Sequence, residues 1–201
     1  EKSSKIKIDD IEILKSKELG YRNKIRLKIT KEGNLAYNKK YSNDLVEIKD
    51  CLLAKNLIRE SLGKIENITK DISERYPNSL EEITIRANDK EILLNIKIKD
   101  EKIIPYIKNK YKDSSYNINL INKKENINIS GKNYLYYNLL DKKFKISMND
   151  FYQVNDYMTE KLYKTAKNFL GENQKVLDLF CGSATSSIAI NDDHVVGIEI
   201  N

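Results

Sequence analysis

The chain has 201 residues, 40% of them hydrophobic and 33% charged, and a net charge of +6. That composition suits one or two globular domains, and no apolar run approaches the length of a membrane span, so a membrane partner is not expected. The positive balance suits a polyanion such as RNA, but only five of the 36 basic residues are arginine (Arg22, Arg26, Arg59, Arg75, Arg86), and the wealth of Lys, Asn and Ile also fits an AT-rich coding sequence.

Two cysteines, Cys51 and Cys181, are too few for a disulfide framework, which points to a reducing, cytoplasmic compartment. The N-terminal EKSSKIKIDD has neither an initiator Met nor an apolar signal region, and the chain stops at Asn201 directly after a predicted strand. The sequence therefore reads as a piece of a longer protein.

Residues 5–48 predict β structure. Ile6, Ile8, Ile11 and Ile13 alternate imperfectly with charge. From Arg22 to Ile29 the alternation is regular, with Ile25, Leu27 and Ile29 on one face and Arg22, Lys24, Arg26 and Lys28 on the other. That basic face either meets phosphate or is simply solvated. Glu32-Gly33-Asn34 predicts a turn, Leu35 to Tyr37 a return strand and Leu45 to Ile48 another. Cys51 opens the next element, and Leu52, Leu53, Leu57, Ile58, Leu62, Ile65 and Ile68 predict an amphipathic helix over roughly 52–74. Read alone, Cys51 is either a small core residue or, just ahead of a helix, a thiol of lowered pKa.

Pro77-Asn78-Ser79 breaks the pattern. Leu80–Ala87 and Ile92–Ile98 predict a hairpin around Asn88-Asp89-Lys90. Ile103–Tyr111 predicts a helix with Pro105 in its first turn. Tyr116–Ile121 and Ile127–Ile129 predict strands, and Tyr134–Leu140 with Phe144–Ile146 a hairpin around Asp141-Lys142. Tyr134, Tyr136 and Tyr137 either stack on bases or pack on their own sheet. The expected fold is an α+β central domain over 1–147, a mostly antiparallel sheet with two helices, followed over 148–201 by the start of an α/β Rossmann-like domain.

After Met148, FYQVN leads into a helix whose apolar positions are Val154, Tyr157, Met158, Leu162, Ala166, Phe169 and Leu170, with Asn155 as its cap and Gly171 as its stop. Lys175 to Glu199 then spells strand, small-residue turn, helix and strand: one βαβ unit. The turn brings backbone amides to the strand ends, and the acid closing the second strand, Glu199, is placed for a ribose. A nicotinamide dinucleotide needs three glycines in such a turn; here Gly182 is followed by Ala184 and Ser186. An adenosine without phosphates suits it better, and S-adenosyl-L-methionine is the common cofactor of that kind. A βαβ unit that binds nothing is the alternative. Two strands cannot bury both faces of a parallel sheet, so the region after Met148 needs further strands to be stable. His194, the only histidine, sits beside Asp192 and Asp193 and reads as a solvated loop residue.

FYQVN at 151–155 followed by LDLFCGSAT and VVGIEI resembles the RNA (uracil-5-)-methyltransferase family, the 23S rRNA and tRNA 5-methyluridine enzymes. YRNKIRL at 21–27 and VEIKDCLL at 46–53 extend the likeness, which is weak from 55 to 130. The resemblance implies that residues 148–201 begin a class I methyltransferase domain, and methyl transfer to carbon 5 of a uridine, in rRNA more than in tRNA and not in DNA. It implies S-adenosyl-L-methionine held by Gln153, Phe180, Gly182, Thr185 and Glu199, and, as in some members, Cys51 as fourth ligand of a [4Fe-4S] cluster whose other three ligands precede Glu1. The family keeps its catalytic cysteine and base downstream of the ribose-binding acid, so no catalytic residue is expected in these 201 residues, and they are expected to be inactive alone. Where Ala184 stands, the family usually has a second glycine; this favours the rival reading, a non-catalytic RNA-binding protein with a degenerate βαβ unit.

Overall fold

A computed structural model of the chain describes residues 12–122, 125–171, 174–190 and 194–200. Ile6, Ile8 and Ile11 lie outside the described residues, and Ile13 is exposed and in no strand. The elements run β1 (Lys24–Ile29), β2 (Leu35–Asn38), β3 (Leu45–Glu47), α1 (Asn56–Arg75), β4 (Leu80–Ala87), β5 (Ile92–Ile98), α2 (Ile104–Tyr111, entered through a 3-10 turn), β6 (Asn117–Ile121), β7 (Asn126–Ser130), β8 (Tyr134–Leu139), β9 (Lys142–Ser147), α3 (Asp156–Leu170), β10 (Val176–Leu179), α4 (Thr185–Ile190) and β11 (Val195–Ile198).

The first seven strands form one sheet in the order β3-β2-β1-β4-β5-β6-β7. Every pairing in it is antiparallel except β5 with β6, because α2 carries the chain back across the sheet between those two strands. Alternation along β1 puts Ile25, Leu27 and Ile29 into the core. There they meet Ile58, Leu62, Ile65 and Ile72 of α1, spaced at helical period, and Ile103 and Ile107 beside α2. The opposite face is polar along β1, while Leu93 of β5 is apolar and buried on it. On it two residues of the expected basic stripe share one acid: Arg26 pairs with Glu82 at 3.1 Å, and Lys28 with Glu82 at 2.9 Å.

Helix α1 starts at Asn56, four residues after the expected Leu52, and the side chain of Lys55 at its cap makes no capping bond to the helix. Cys51 is therefore not at a helix N-terminus. Its sulfur lies 3.5 Å from the hydroxyl of Tyr37, whose pKa is raised by burial and by that contact. The second hairpin turns on Leu140 and Asp141, both at positive φ (48° and 64°), one residue earlier than expected.

β8 and β9 pair only with each other. Their inner face (Leu135, Tyr137, Leu139, Phe144, Ile146) joins Leu93, Met148, Tyr152 and Ala189 in a second core. The expected domain boundary at 147/148 falls inside that cluster. Tyr137 is buried and donates its hydroxyl to the carbonyl of Ala87 at 3.0 Å, so it cannot stack on a base. The parallel pair β10–β11 leaves Leu177, Leu179, Val196 and Ile198 each more than half exposed. A parallel pair is normally covered on both faces; among the described residues this one is not.

The segment between β9 and α3 is held from the large sheet. Asn23 gives three times, its backbone N–H to the carbonyl of Val154 (2.8 Å) and its side-chain amide to the carbonyl of Gln153 (2.9 Å) and the carboxylate of Asp156 (2.5 Å). Lys24 donates to the carbonyl of Met148 at 2.9 Å, and Arg86 to that of Asp150 at 3.0 Å. Lys55 ties Asp156 at 2.9 Å. Asn155 then caps α3 by accepting from the amide of Met158, and Gly171 stops it at φ 71°, both as its sequence predicts.

Two glycines give opposite expectations. Gly63 lies inside α1 with open space where a Cβ would go, so Gly63→Ala is expected to raise stability by about 1 kcal/mol. Gly33 has φ +86°, and a Cβ there would sit 2.5 Å from the Cα of Lys70, so Gly33→Ala is expected to destabilise by more than that amount. Urea midpoints at unchanged slope check both.

Burial, with repulsion from Arg86 and Arg26, lowers Lys24 to about 8. Between that value and the usual 10.5 the unfolded chain holds more proton than the folded one, so this group's contribution to stability improves as pH rises through that window. The parent is therefore expected to gain stability relative to Lys24→Met between about pH 7 and about pH 10. A difference in urea midpoints that stays flat over this range would show that Lys24 is not desolvated.

Candidate functional site

Leaving β10, the chain makes a tight turn through Phe180, Gly182 and Ala184, at φ 63°, 53° and 53°. The two L-residues among them sit in the left-handed region at a cost of about 1–2 kcal/mol each. Glycine at 184 would adopt this backbone without that cost. The turn is tied to its neighbours on three sides. Glu199, one residue past β11, accepts from the amide of Gly182 at 2.7 Å and from that of Ile200 at 2.8 Å. Ser186 donates to Asp178 of β10 at 2.9 Å, and Ser183 meets Thr185 at 2.8 Å. The Ser183 hydroxyl also reaches the carbonyl of Phe151 at 3.4 Å, linking the turn to the segment anchored on the large sheet.

Above the C-terminal ends of β10 and β11 this leaves an open cleft of about 720 Å³. Gln153, Phe180, Gly182, Thr185 and Glu199 all line it. The five residues come from three stretches of chain, before α3, after β10 and after β11, and the fold brings them together at the place where an open α/β sheet binds its ligands. Phe180 is 82% exposed and offers an apolar ring face. Thr185 is buried, so its hydroxyl serves the turn through Ser183. α4 has six residues, which leaves little helix dipole; anion or hydroxyl recognition here rests on the turn amides and on Glu199.

Sequence reasoning gave no role to Phe151, which is 73% exposed on the rim, or to Tyr163, whose ring lines the cleft and whose pKa burial and Asp178 raise. Phe151 sits in the FYQVN stretch and could have been singled out there. Tyr163 follows only the helical period of α3, which does not tell a cleft wall from a core face. Cys181 lies in the same turn, its sulfur against Gly197, where an added Cβ would be 2.8 Å away: a packing position. His194 is exposed, as its sequence context predicts.

At Cys51 the chain offers one sulfur. Among the described residues no group of three or more His, Cys, Asp or Glu side chains is placed to hold a metal ion. These residues do not by themselves fit an iron–sulfur cluster, and no step is routed through one. Also among the described residues, no helix is long and apolar enough to cross a membrane.

No protein-family model matches the chain. Among curated proteins it is 28% identical over 212 residues to an uncharacterized RNA methyltransferase of Staphylococcus aureus, covering 90% of this chain and 46% of that protein. It is 30% identical over 226 residues to an uncharacterized RNA methyltransferase of Prochlorococcus marinus (96% and 54%). It is 26% identical over 211 residues to the 23S rRNA (uracil(1939)-C(5))-methyltransferase RlmD of Haemophilus parainfluenzae (98% and 48%). The chain thus spans about half the length of the curated relatives it matches. Among solved structures it superposes on the Pyrococcus abyssi tRNA (uracil-54, C5)-methyltransferase in complex with S-adenosyl-L-homocysteine, with a TM-score of 0.71 at 22% identity over 92% of this chain and 50% of that one. At that identity the superposition shows the fold alone, and the sequence matches make the chain similar to RNA methyltransferases, a uracil-C5 enzyme among them.

Proposed function

We propose that this chain carries the central portion and the first half of the cofactor site of an S-adenosyl-L-methionine-dependent enzyme that methylates carbon 5 of a uridine in RNA, in the cytoplasm. The observation that carries the reading is the convergence of Gln153, Phe180, Gly182, Thr185 and Glu199 on one cleft at the strand ends. Bound there, S-adenosyl-L-methionine would supply an electrophilic methyl group on its sulfonium. Glu199, oriented by two backbone amides, presents a carboxylate to vicinal ribose hydroxyls. The Phe180 ring provides a stacking face for adenine. Gln153 has its backbone carbonyl pinned by Asn23, so its side-chain amide is offered to the cleft from a fixed position, where it can both donate and accept.

Carbon 5 of uracil needs activation before it can take a methyl group. Addition of a thiolate at carbon 6 and later removal of the carbon-5 proton by a carboxylate accomplish it in enzymes that this chain resembles. Neither Cys51, against Tyr37, nor Cys181, against Gly197, is placed for that attack. We read the 201 residues as binding and positioning elements that do not turn over alone. The substrate class we favour is 23S rRNA, on the curated relative that acts there; tRNA, the substrate of the structural neighbour, is the competing assignment. A cluster at Cys51 has no place in this reading without three further thiolates.

The rival reading is a non-catalytic RNA-binding protein, and Ala184 is its observation: an L-residue at φ 53° in the turn that would wrap the cofactor. Calorimetric titration with S-adenosyl-L-homocysteine separates the two. Under the methyltransferase reading the intact protein binds it, Glu199→Ala weakens binding by about tenfold or more, and Ala184→Gly retains binding while gaining about 1 kcal/mol of stability. No binding by the parent or by Ala184→Gly would favour the rival. Nucleoside mass spectrometry on RNA from cells with and without the intact gene identifies the substrate: loss of 5-methyluridine from 23S rRNA is the expected result, and loss from tRNA alone would reassign it.

A further inference from the structure

The outer face of the β8–β9 ribbon takes no part in the cleft. On it Tyr134, Tyr136 and Asn138 stand opposite Ser147, Lys145 and Lys143. The pairing is diagonal in chemistry: Lys145 lies 4.2 Å from the ring centroid of Tyr134, and Lys143 lies 4.1 Å from that of Tyr136. The two rings stand edge-on to each other, 5.3 Å apart at 75°. No acidic side chain shares this face, and among the described residues neither lysine is in an ion pair. Of the acids beside the ribbon, Glu91 is matched by Lys132 at 3.2 Å and Asp89 by Lys55 at 2.6 Å, while Asp141 lies in the ribbon's own turn near Lys143. Asp89 and Glu91 line, with Lys90, Lys143, Tyr136 and Asn138, an open groove of about 510 Å³ along β8.

We infer that this face is a stacking platform for single-stranded RNA, with Tyr134 and Tyr136 each taking a base and Lys143 and Lys145 the adjoining phosphates. Residues two apart on a strand point to the same side, so the two rings form successive steps rather than one pocket. Each ring has an ammonium over it, so a base that stacks there carries its phosphate within reach of the same flexible lysine. A duplex offers no unstacked base to such rings. An acidic protein partner would use the lysines and leave the rings without work, and the ribbon has no exposed aliphatic side chain on this face to suit a lipid surface. The inference deepens the RNA methyltransferase reading by assigning where a strand lies outside the cofactor cleft.

The test is fluorescence polarisation with the full 201-residue chain and a labelled oligouridylate of about 12 nucleotides, against a duplex of the same length, over a series of salt concentrations. The chain is expected to prefer the single strand. Tyr134→Leu with Tyr136→Leu is expected to lower affinity by at least about tenfold, while Tyr134→Phe with Tyr136→Phe restores it, since stacking needs the ring and not the hydroxyl. Lys143→Gln with Lys145→Gln is expected to flatten the slope of log affinity against log salt by about 1.4, two phosphate contacts on a single strand. The proposal is overturned if the leucine pair binds like the parent, if duplex binds as well as single strand, or if polyglutamate displaces the oligonucleotide only through the lysines with the rings silent. Titration of the same variants with S-adenosyl-L-homocysteine keeps the two readings apart. The leucine pair should bind that ligand as the parent does, and Glu199→Ala should bind the oligonucleotide as the parent does. Failure of cofactor binding alone would leave the platform standing.

Discussion

The arrangement of this molecule depends on a few side chains of the large sheet that grip the backbone just ahead of α3. Asn23, Lys24 and Arg86 donate to the carbonyls of Gln153, Met148 and Asp150. Lys24 and Arg86 face each other across β1 and β4, and Arg86 is buried. Two like charges side by side, one of them desolvated, are costly. The Nε and Nη1 of Arg86 have no partner among the described residues, which adds to the cost. Carbonyl oxygens repay part of it, because hydrogen bonds to a charged donor are stronger than neutral ones. What the cost secures is location: the segment carrying Gln153 is pinned to a rigid sheet rather than left to a loop.

From that anchor the cleft follows. Ser183 reaches the carbonyl of Phe151, so the turn after β10 is registered against the pinned segment. Glu199 closes the turn from the other strand by accepting from Gly182. The turn stores strain at Phe180 and Ala184, each held at positive φ by this surrounding network. Ala184 is therefore less a disabled glycine than a residue paying a conformational cost, and its methyl group does not keep the backbone from the left-handed form. The βαβ unit itself is weakly supported, with four strand side chains more than half exposed on β10 and β11. Its geometry at the site is set as much by contacts to the segment before α3 as by its own packing.

Much of the local structure was legible. The two-residue period of β1, the helical stripe of α1, the Asn88-Asp89-Lys90 hairpin and both ends of α3 all appear where the residues place them, because each is decided by neighbours a few positions away. The start of α1 was not: Leu52 and Leu53 fit the helical stripe, but Ala54 pairs with Arg22 in an isolated bridge and holds the chain extended to Lys55. On the basic stripe, β4 delivers Glu81 and Glu82 opposite β1, where they pair with Arg26 and Lys28, a contact that the period of β1 alone does not foretell. Of the three tyrosines of β8, the alternation of the strand puts Tyr137 inward and Tyr134 and Tyr136 outward, a division that was open until the ribbon's inner face was known.

By itself, then, the sequence determined the elements, the βαβ unit, the acid at its end and the kinship that FYQVN and LDLFCG announce. These rest on short-range periodicity and on motifs whose parts lie close together in the chain. Only the tertiary structure decided the strand order, the parallel β5–β6 step, the separation of the β8–β9 ribbon and the grip of Asn23, Lys24 and Arg86 on residues 148–153. Those contacts join positions 64 to 130 residues apart. A hydrogen bond between such distant groups leaves no periodic trace in the chain, because it is chosen by how whole faces pack and not by what any one stretch prefers.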